Sequence, residues 1–144
     1  MSAAERWIDE GADAVEVDGE LVHAAVTVDL DVDSIVTVRR VSASSDRRQG
    51  LVLDADEPIS VNGIDKQQLV LWADSSPDEV VADVAAGRLT LWNVWEADGA
   101  VHAWVGAAGI LLDVEDDAVT RLRASDGLGA FDVDLEVEIT IDVR

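Results

Sequence analysis

The stretch FDVDLEVEITIDV, residues 131–143, decides the fold class of this chain. Every second position from Phe131 to Val143 is apolar, and the positions between them carry Asp, Glu or Thr. Because successive side chains of a strand point to opposite faces of a sheet, this alternation predicts one long strand that is half buried and half solvated. So clean an alternation is typical of antiparallel sheets.

A second alternating run occupies residues 22–41. Its even positions from 22 to 32 are apolar, whereas His23 falls on the polar face, where we expect an ordinary solvent position. A turn at Asp33-Ser34-Ile35 is predicted to return the chain as residues 36–41. In that hairpin Leu30 lies opposite Val38 and Asp29 opposite Arg39, so apolar pairs share one face and opposite charges share the other.

Shorter apolar segments predict further strands, at 51–53, 59–61, 68–72, 89–96, 100–105, 110–114 and 119–123. Three dipeptides mark tight hairpin turns, because their residues adopt positive φ at low cost: Asp18-Gly19, Asn62-Gly63 and Asp98-Gly99. The pair around Asp98-Gly99 is predicted to join 89–96 to 100–105.

Two segments carry helix signals. Ser76 is placed to cap a helix, Pro77 suits the first helical position, and Glu79 follows the cap by three residues. The apolar stripe of this helix would be Val80, Val81 and Val84, and Gly87 would end it. Ser2 and Glu5 repeat the capping spacing, which predicts a short helix over 3–10.

About nine short strands with tight turns predict an all-β fold, as an antiparallel β-sandwich or jelly roll with one or two short helices. The helix between two strands leaves α+β as the alternative. The chain has 144 residues, no repeat and no linker, and its charge is spread along the whole length. We therefore expect residues 1–144 to form a single acidic, β-rich domain.

The formal net charge is −21, from 31 acidic and 10 basic residues. Such a field repels phosphate backbones and anionic lipid surfaces, so we expect neither nucleic acid nor a membrane as partner. Three explanations of the acidity stay open: a GC-rich genome, a high-salt cytoplasm that screens the repulsion, and a basic partner protein. The chain has no Cys, which excludes disulfides and thiolate chemistry.

The N-terminal residues carry charges and lack the apolar run of a signal peptide. No apolar stretch approaches the roughly 18 residues of a membrane span. The sequence predicts a soluble, cytoplasmic protein.

The best candidate binding site lies on the hairpin around Asp98-Gly99. A two-residue loop places Trp95 opposite His102 and Asn93 opposite Trp104, with all four side chains on one face. Two indole rings beside an imidazole and an amide are suited to a flat, hydroxylated ligand such as a sugar. The alternative is that these side chains belong to the core near its mouth.

A second candidate is the acidic ladder Asp132, Asp134, Glu136 and Glu138. Same-face neighbours on a strand lie about 6.5–7 Å apart, too far for several of them to bind one cation unaided, so we expect a solvated face. The sequence has no nucleophile elbow, no zinc-binding His pair and no Rossmann glycine fingerprint. We accordingly expect no enzyme activity, no metal site and no cofactor.

Three functional hypotheses follow, in order of preference. The first is a binding protein whose acidic surface recognises a basic protein partner. The second is a carbohydrate-binding sandwich that holds a glycan with Asn93, Trp95, His102 and Trp104. The third is a hydrolase that depends on paired carboxylates.

Overall fold

The computed structural model describes residues 7–9, 14–17, 20–23, 25–44, 47–97, 99–103, 109–114, 119–126 and 133–143. Within these residues the regular secondary structure is entirely β, so the predicted all-β class is confirmed and the α+β alternative has no support. The strands are β1 (Trp7–Asp9), β2 (Ala14–Val17), β3 (Glu20–His23), β4 (Val26–Leu30), β5 (Ser34–Ala43), β6 (Arg48–Val61), β7 (Ile64–Trp72), β8 (Glu79–Val84), β9 (Gly87–Ala97), β10 (Ala100–His102), β11 (Gly109–Val114), β12 (Val119–Ser125) and β13 (Leu135–Val143).

These strands form one antiparallel sheet that is nearly closed into a barrel. Its order is β1-β4-β9-β6-β8-β5-β13-β12-β11-β3-β2, with β7 paired to β6 and β10 paired to β9. The predicted sandwich or jelly roll is not confirmed, and the predicted short helices are not seen. A single sheet that curves round can bury one face of every strand inside itself, just as two stacked sheets can. Alternating apolar and polar residues are compatible with both architectures and do not distinguish them.

The predicted alternation of the C-terminal strand is confirmed over residues 135–141, but the strand begins only at Leu135, and Val133 and Val143 are exposed. Leu135, Val137, Ile139 and Ile141 of β13 are buried, while the residues between them are partly exposed. The strand lies between β5 and β12 in the sheet, so both of its edges are hydrogen-bonded. Its buried face joins a single apolar core built mainly from Val, Leu and Ile of β4, β5, β6, β8, β9, β12 and β13.

The predicted tight turns are also confirmed by strand register. β6 and β7 pair up to Val61 opposite Ile64, with Asn62 and Gly63 at positive φ (51° and 79°). β9 and β10 pair up to Ala97 opposite Ala100 around Gly99 (φ 78°). β2 and β3 pair up to Val17 opposite Glu20, and the predicted Asp18-Gly19 turn itself lies outside the described residues. The separate strands predicted at 51–53 and 59–61 are one continuous strand, β6.

The predicted hairpin at Asp33-Ser34-Ile35 is wrong. β4 pairs with β1 and β9, whereas β5 pairs with β13 and β8. The chain therefore bends at this point without folding β5 back onto β4. The Ser34 hydroxyl donates to the Val32 carbonyl (2.9 Å), and the Asp33 carboxylate accepts from the Ala86 amide (2.9 Å). The bend is thereby matched to the short connection between β8 and β9: residues 26–30 of β4 pair with β9, and residues 34–39 of β5 pair with β8.

The predicted helix after Ser76 is also wrong, because that segment is strand β8. Val80, Ala82 and Val84 are buried while Val81 is 52% exposed, which is the period-two pattern of a strand. β8 hydrogen-bonds to β5 along its length and to β6 at one end, and this pairing overrides the local capping signals. The N-terminal helix predicted over 3–10 is contradicted at residues 7–9, which form β1; its other residues lie outside the described ones.

Candidate functional site

Three of the four predicted binding residues lie together on the β9–β10 hairpin. Trp95 is directly opposite His102, as predicted, and their rings stack with centroids 6.2 Å apart and planes inclined by 21°. Asn93 lies on the same face of β9, two residues before Trp95. Trp104 lies outside the described residues.

These side chains form part of the wall of the barrel interior. Asn93 is 2% and Trp95 is 3% exposed, and the Asn93 side-chain amide donates to the Ser125 carbonyl (2.9 Å). His102 is half-buried, with its Nε2 3.2 Å from the Ala97 carbonyl. The burial agrees with the alternative that they belong to the core near its mouth, and their binding role stays a prediction.

The same end of the interior contains a polar network that the sequence does not predict. Gln49 is 1% exposed, and its Nε2 donates to Asp126 Oδ2 (3.2 Å), which also lies 3.8 Å from Arg47 Nη1. The Asp126 amide donates to Asp134 Oδ2 (3.0 Å). Gln49 and Asp126 are 77 positions apart, so no local signal links them. The network joins β6 to the segment between β12 and β13.

Arg48 forms a second cluster at the start of β6. Its guanidinium lies 4.2 Å from the centroid of the Trp72 ring and binds Asp74 (2.8 Å) and Glu96 (3.3 Å). The hydrogen bond to Asp74 is the main cause that raises the Arg48 pKa. Gly50 makes room for this arrangement, because a Cβ at that position would lie 2.8 Å from Trp72 Cε3.

A row of alternating charges crosses the outer face of five neighbouring strands. In register order across β8, β5, β13, β12 and β11 the row is Glu79, Arg39, Glu138, Arg121 and Asp113. Glu138 is the centre of the row, since Arg39 and Arg121 each approach its carboxylate to 2.7 Å. Hydrogen bonds from Arg39 and then Arg121 lower the Glu138 pKa.

This row alters the interpretation of the acidic ladder on β13. Glu136 also has a cationic neighbour, Arg121, at 3.7 Å, and Asp134 accepts the Asp126 amide. Two of the ladder carboxylates are thus compensated by arginines of adjacent strands rather than only by solvent, and Asp132 lies outside the described residues. The described residues contain no group of three or more His, Asp or Glu side chains that could hold a metal ion.

We expect Glu138→Gln to lower the melting temperature at neutral pH, because Arg39 and Arg121 lose the charge that they share. A lowered folded-state pKa stabilises the protein above the ordinary Glu value of 4.5, and this contribution disappears as pH falls through the folded-state pKa. The difference between variant and parent should therefore shrink toward zero as pH falls through the folded-state pKa, because protonated Glu138 is uncharged, like Gln. Thermal unfolding followed by circular dichroism at several pH values measures it.

The matched control is Glu57→Gln, at an exposed position of β6. It removes one negative charge without removing an ion pair among the described residues, so it corrects for relief of the overall repulsion. Equal melting temperatures for the two variants at neutral pH would contradict the role given to Glu138.

His23 departs from its predicted solvent position. It is 8% exposed, at the end of β3, where it lies opposite Ile110 of β11 and Ala14 of β2. The alternation that placed it on a polar face assumed one unbroken strand over 22–32, but β3 ends at His23 and β4 begins at Val26. Side chains alternate between the two faces of a sheet only within one continuous strand. Because the strand is interrupted after His23, the face taken by His23 cannot be counted back from Val26.

A cleft of about 360 Å³ opens where β7 and the start of β8 approach each other, and we call it the β7–β8 cleft. Its lining is mostly apolar: Val61, Asn62, Leu69, Val70, Leu71, Ser76, Pro77, Glu79, Val80 and Val81. No sequence pattern predicts this cleft, because residues 77–86 carry the signals of a helix rather than of a strand.

Comparisons with protein-family models, curated proteins and solved structures found no match for this chain. The part of the chain that the structure describes has no helix of the length and apolarity needed to cross a membrane.

Proposed function

We propose that this protein is a binding protein whose acidic surface recognises a basic protein partner. The observation that supports the proposal is the distribution of charge among the described residues. Six arginines lie in ion pairs with carboxylates of the same chain: Arg39, Arg40, Arg47, Arg48, Arg121 and Arg123. Their positive charge is therefore largely neutralised locally.

Carboxylates outside these ion pairs remain on the surface. Exposed examples are Asp31, Glu57, Asp65, Glu79 and Asp142. With a formal charge of −21, the field outside the protein is negative. Such a field steers a basic partner and raises its association rate, and salt weakens the effect. The proposal assigns the protein no catalytic activity and no cofactor.

A pull-down from host lysate, followed by affinity measurements on the purified partner, tests the proposal. We expect a stoichiometric partner with a basic binding face, whose Kd rises at least tenfold between about 50 and 300 mM salt as screening increases. Neutralising Glu57, Asp65 and Asp142 together should weaken binding and flatten its salt dependence. A partner whose affinity ignores ionic strength, or the absence of any partner at low salt, would overturn the proposal.

A further inference from the structure

From the strand edges and lining of the β7–β8 cleft, we infer that the cleft binds an extended segment of a basic partner, in which apolar residues alternate with Lys or Arg, by adding it as a strand beside β8. The inference rests on the proposed function and names the surface and the kind of segment involved. It depends on three features of the cleft: an unpaired strand edge, an apolar lining and acidic surroundings.

The first feature is the free edge of β8. β6 meets β8 only at Asp83 and Val84, because β6 ends in the Asn62-Gly63 turn. Within the described residues no strand pairs with the β6-side edge of β8 from Glu79 to Ala82. A strand edge without a partner is a template for one more strand.

Backbone direction supports this assignment. The Arg40 amide donates to the Asp78 carbonyl (2.7 Å), so Asp78 directs its carbonyl toward β5. Alternation along an antiparallel pair then turns the amide and carbonyl of Glu79 and Val81 toward the opposite edge, which borders the cleft. An incoming strand would find donors and acceptors at strand spacing there.

The second feature is the apolar lining. Leu69 and Leu71 of β7 are only partly buried, and Val81 of β8 is 52% exposed. The cleft does not continue as a large cavity into the core: the adjoining space beneath Ser76 and Pro77 holds only about 20 Å³, little more than one water. This shape suits side chains that enter from a strand lying across the surface rather than a ligand enclosed in the barrel.

The third feature is the charge around the cleft. Glu79 lines it and lies outside the ion pairs described above, whereas the exposed carboxylate of Asp78 is already bound to Arg40. At the β6 end, Ser60 lies in register between Asp65 of β7 and Asp83 of β8. Glu79, Val81 and Asp83 share the outer face of β8, so a paired segment would place its cations on that face and its apolar residues beside Leu69, Leu71 and Val80.

A labelled peptide titration tests the inference, with fluorescence anisotropy as the readout. The probe is an eight-residue peptide alternating Val and Lys. One control alternates Ser and Lys at the same length and charge, and another carries N-methyl groups that block strand pairing. We expect the Val-Lys peptide to bind at least tenfold more tightly than either control.

Protein variants locate the site. Val81→Arg inserts a cation and a long side chain into the cleft and should weaken Val-Lys binding at least tenfold. Val101→Arg is the matched control, since Val101 is 57% exposed on β10 and does not line the cleft. We expect that control to bind like the parent protein, and circular dichroism confirms that both variants fold.

Each contrary result has its own meaning. If the Val-Lys and Ser-Lys peptides bind equally and Val81→Arg has no effect, the cleft assignment is wrong while recognition by an acidic surface survives. If neither peptide binds at low salt while the pull-down yields a salt-sensitive basic partner, the cleft assignment is wrong and the proposed function stands; if the pull-down also yields no partner, both fail. If an apolar dye occupies the cleft in a Val81-dependent manner and the Val-Lys peptide does not displace it, the site takes a small apolar ligand and the inference is overturned.

Discussion

Replacing Ile139 by Ala should destabilise the protein by about 2–5 kcal/mol, the usual cost of deleting several buried methyl and methylene groups from a packed core. Ile139 is fully buried at the centre of β13, in register with Val38 on one side and Thr120 on the other. Because the strands on both sides of β13 are held by hydrogen bonds, the neighbouring side chains cannot move far enough to fill the cavity that the smaller alanine leaves. Urea unfolding measured by circular dichroism gives the change in the free energy of unfolding.

The same strand supplies the control. Val143 belongs to the same alternating face in the sequence, yet it is 66% exposed at the end of β13. Val143→Ala should change the free energy of unfolding by no more than about 0.5 kcal/mol. Comparable losses for the two variants would contradict the burial seen along this strand.

Val84→Asp should abolish cooperative folding or come close to doing so. Val84 is 1% exposed, between Ser34 of β5 and Ile59 of β6 in register. A carboxylate placed there loses its hydration, and the penalty of several kcal/mol approaches the roughly 5–15 kcal/mol that stabilises a typical domain. Thermal unfolding and the dispersion of an amide NMR spectrum report the outcome.

Val81→Asp carries the same change in charge and should be tolerated, because Val81 is 52% exposed on the opposite face of β8. The comparison separates a strand from a helix at this position. A helix with Val80, Val81 and Val84 along one stripe would bury both sites and make both variants equally damaging. Two folded variants, or two unfolded ones, would contradict the β8 assignment.

For the candidate binding residues, the local sequence predicts which side chains lie opposite each other but not whether they are buried. The Asp98-Gly99 turn places Trp95 opposite His102 because glycine accepts the positive φ that a two-residue loop requires, and Gly99 has φ of 78°. Local reasoning does not say on which side of the sheet the core lies. Asn93 and Trp95 are buried in the structure, and the Asn93 amide donates to the Ser125 carbonyl of β12, a partner 32 positions away in the chain.

At the β7–β8 cleft, by contrast, the local sequence rules predict the wrong secondary structure. The cap-like Ser76-Pro77 and the three valines after it satisfy local rules for a helix, and each of those rules contributes about 0.5–2 kcal/mol. Pairing β8 with β5, and burying Val80, Ala82 and Val84 in the core, contributes more than these signals. A site formed by such an override has no reliable signature in the sequence.

By itself the sequence determined the all-β class, the half-buried C-terminal strand and the two-residue turns, because each depends on side-chain alternation or on the φ of one or two residues. Only the tertiary structure decided that β4 runs on into β5 instead of folding back, and that Glu79, Arg39, Glu138, Arg121 and Asp113 form one row. The physical reason is that strand partners far apart in the chain are chosen by the apolar area that they bury together. That area exists only once the sheet has curved around its core.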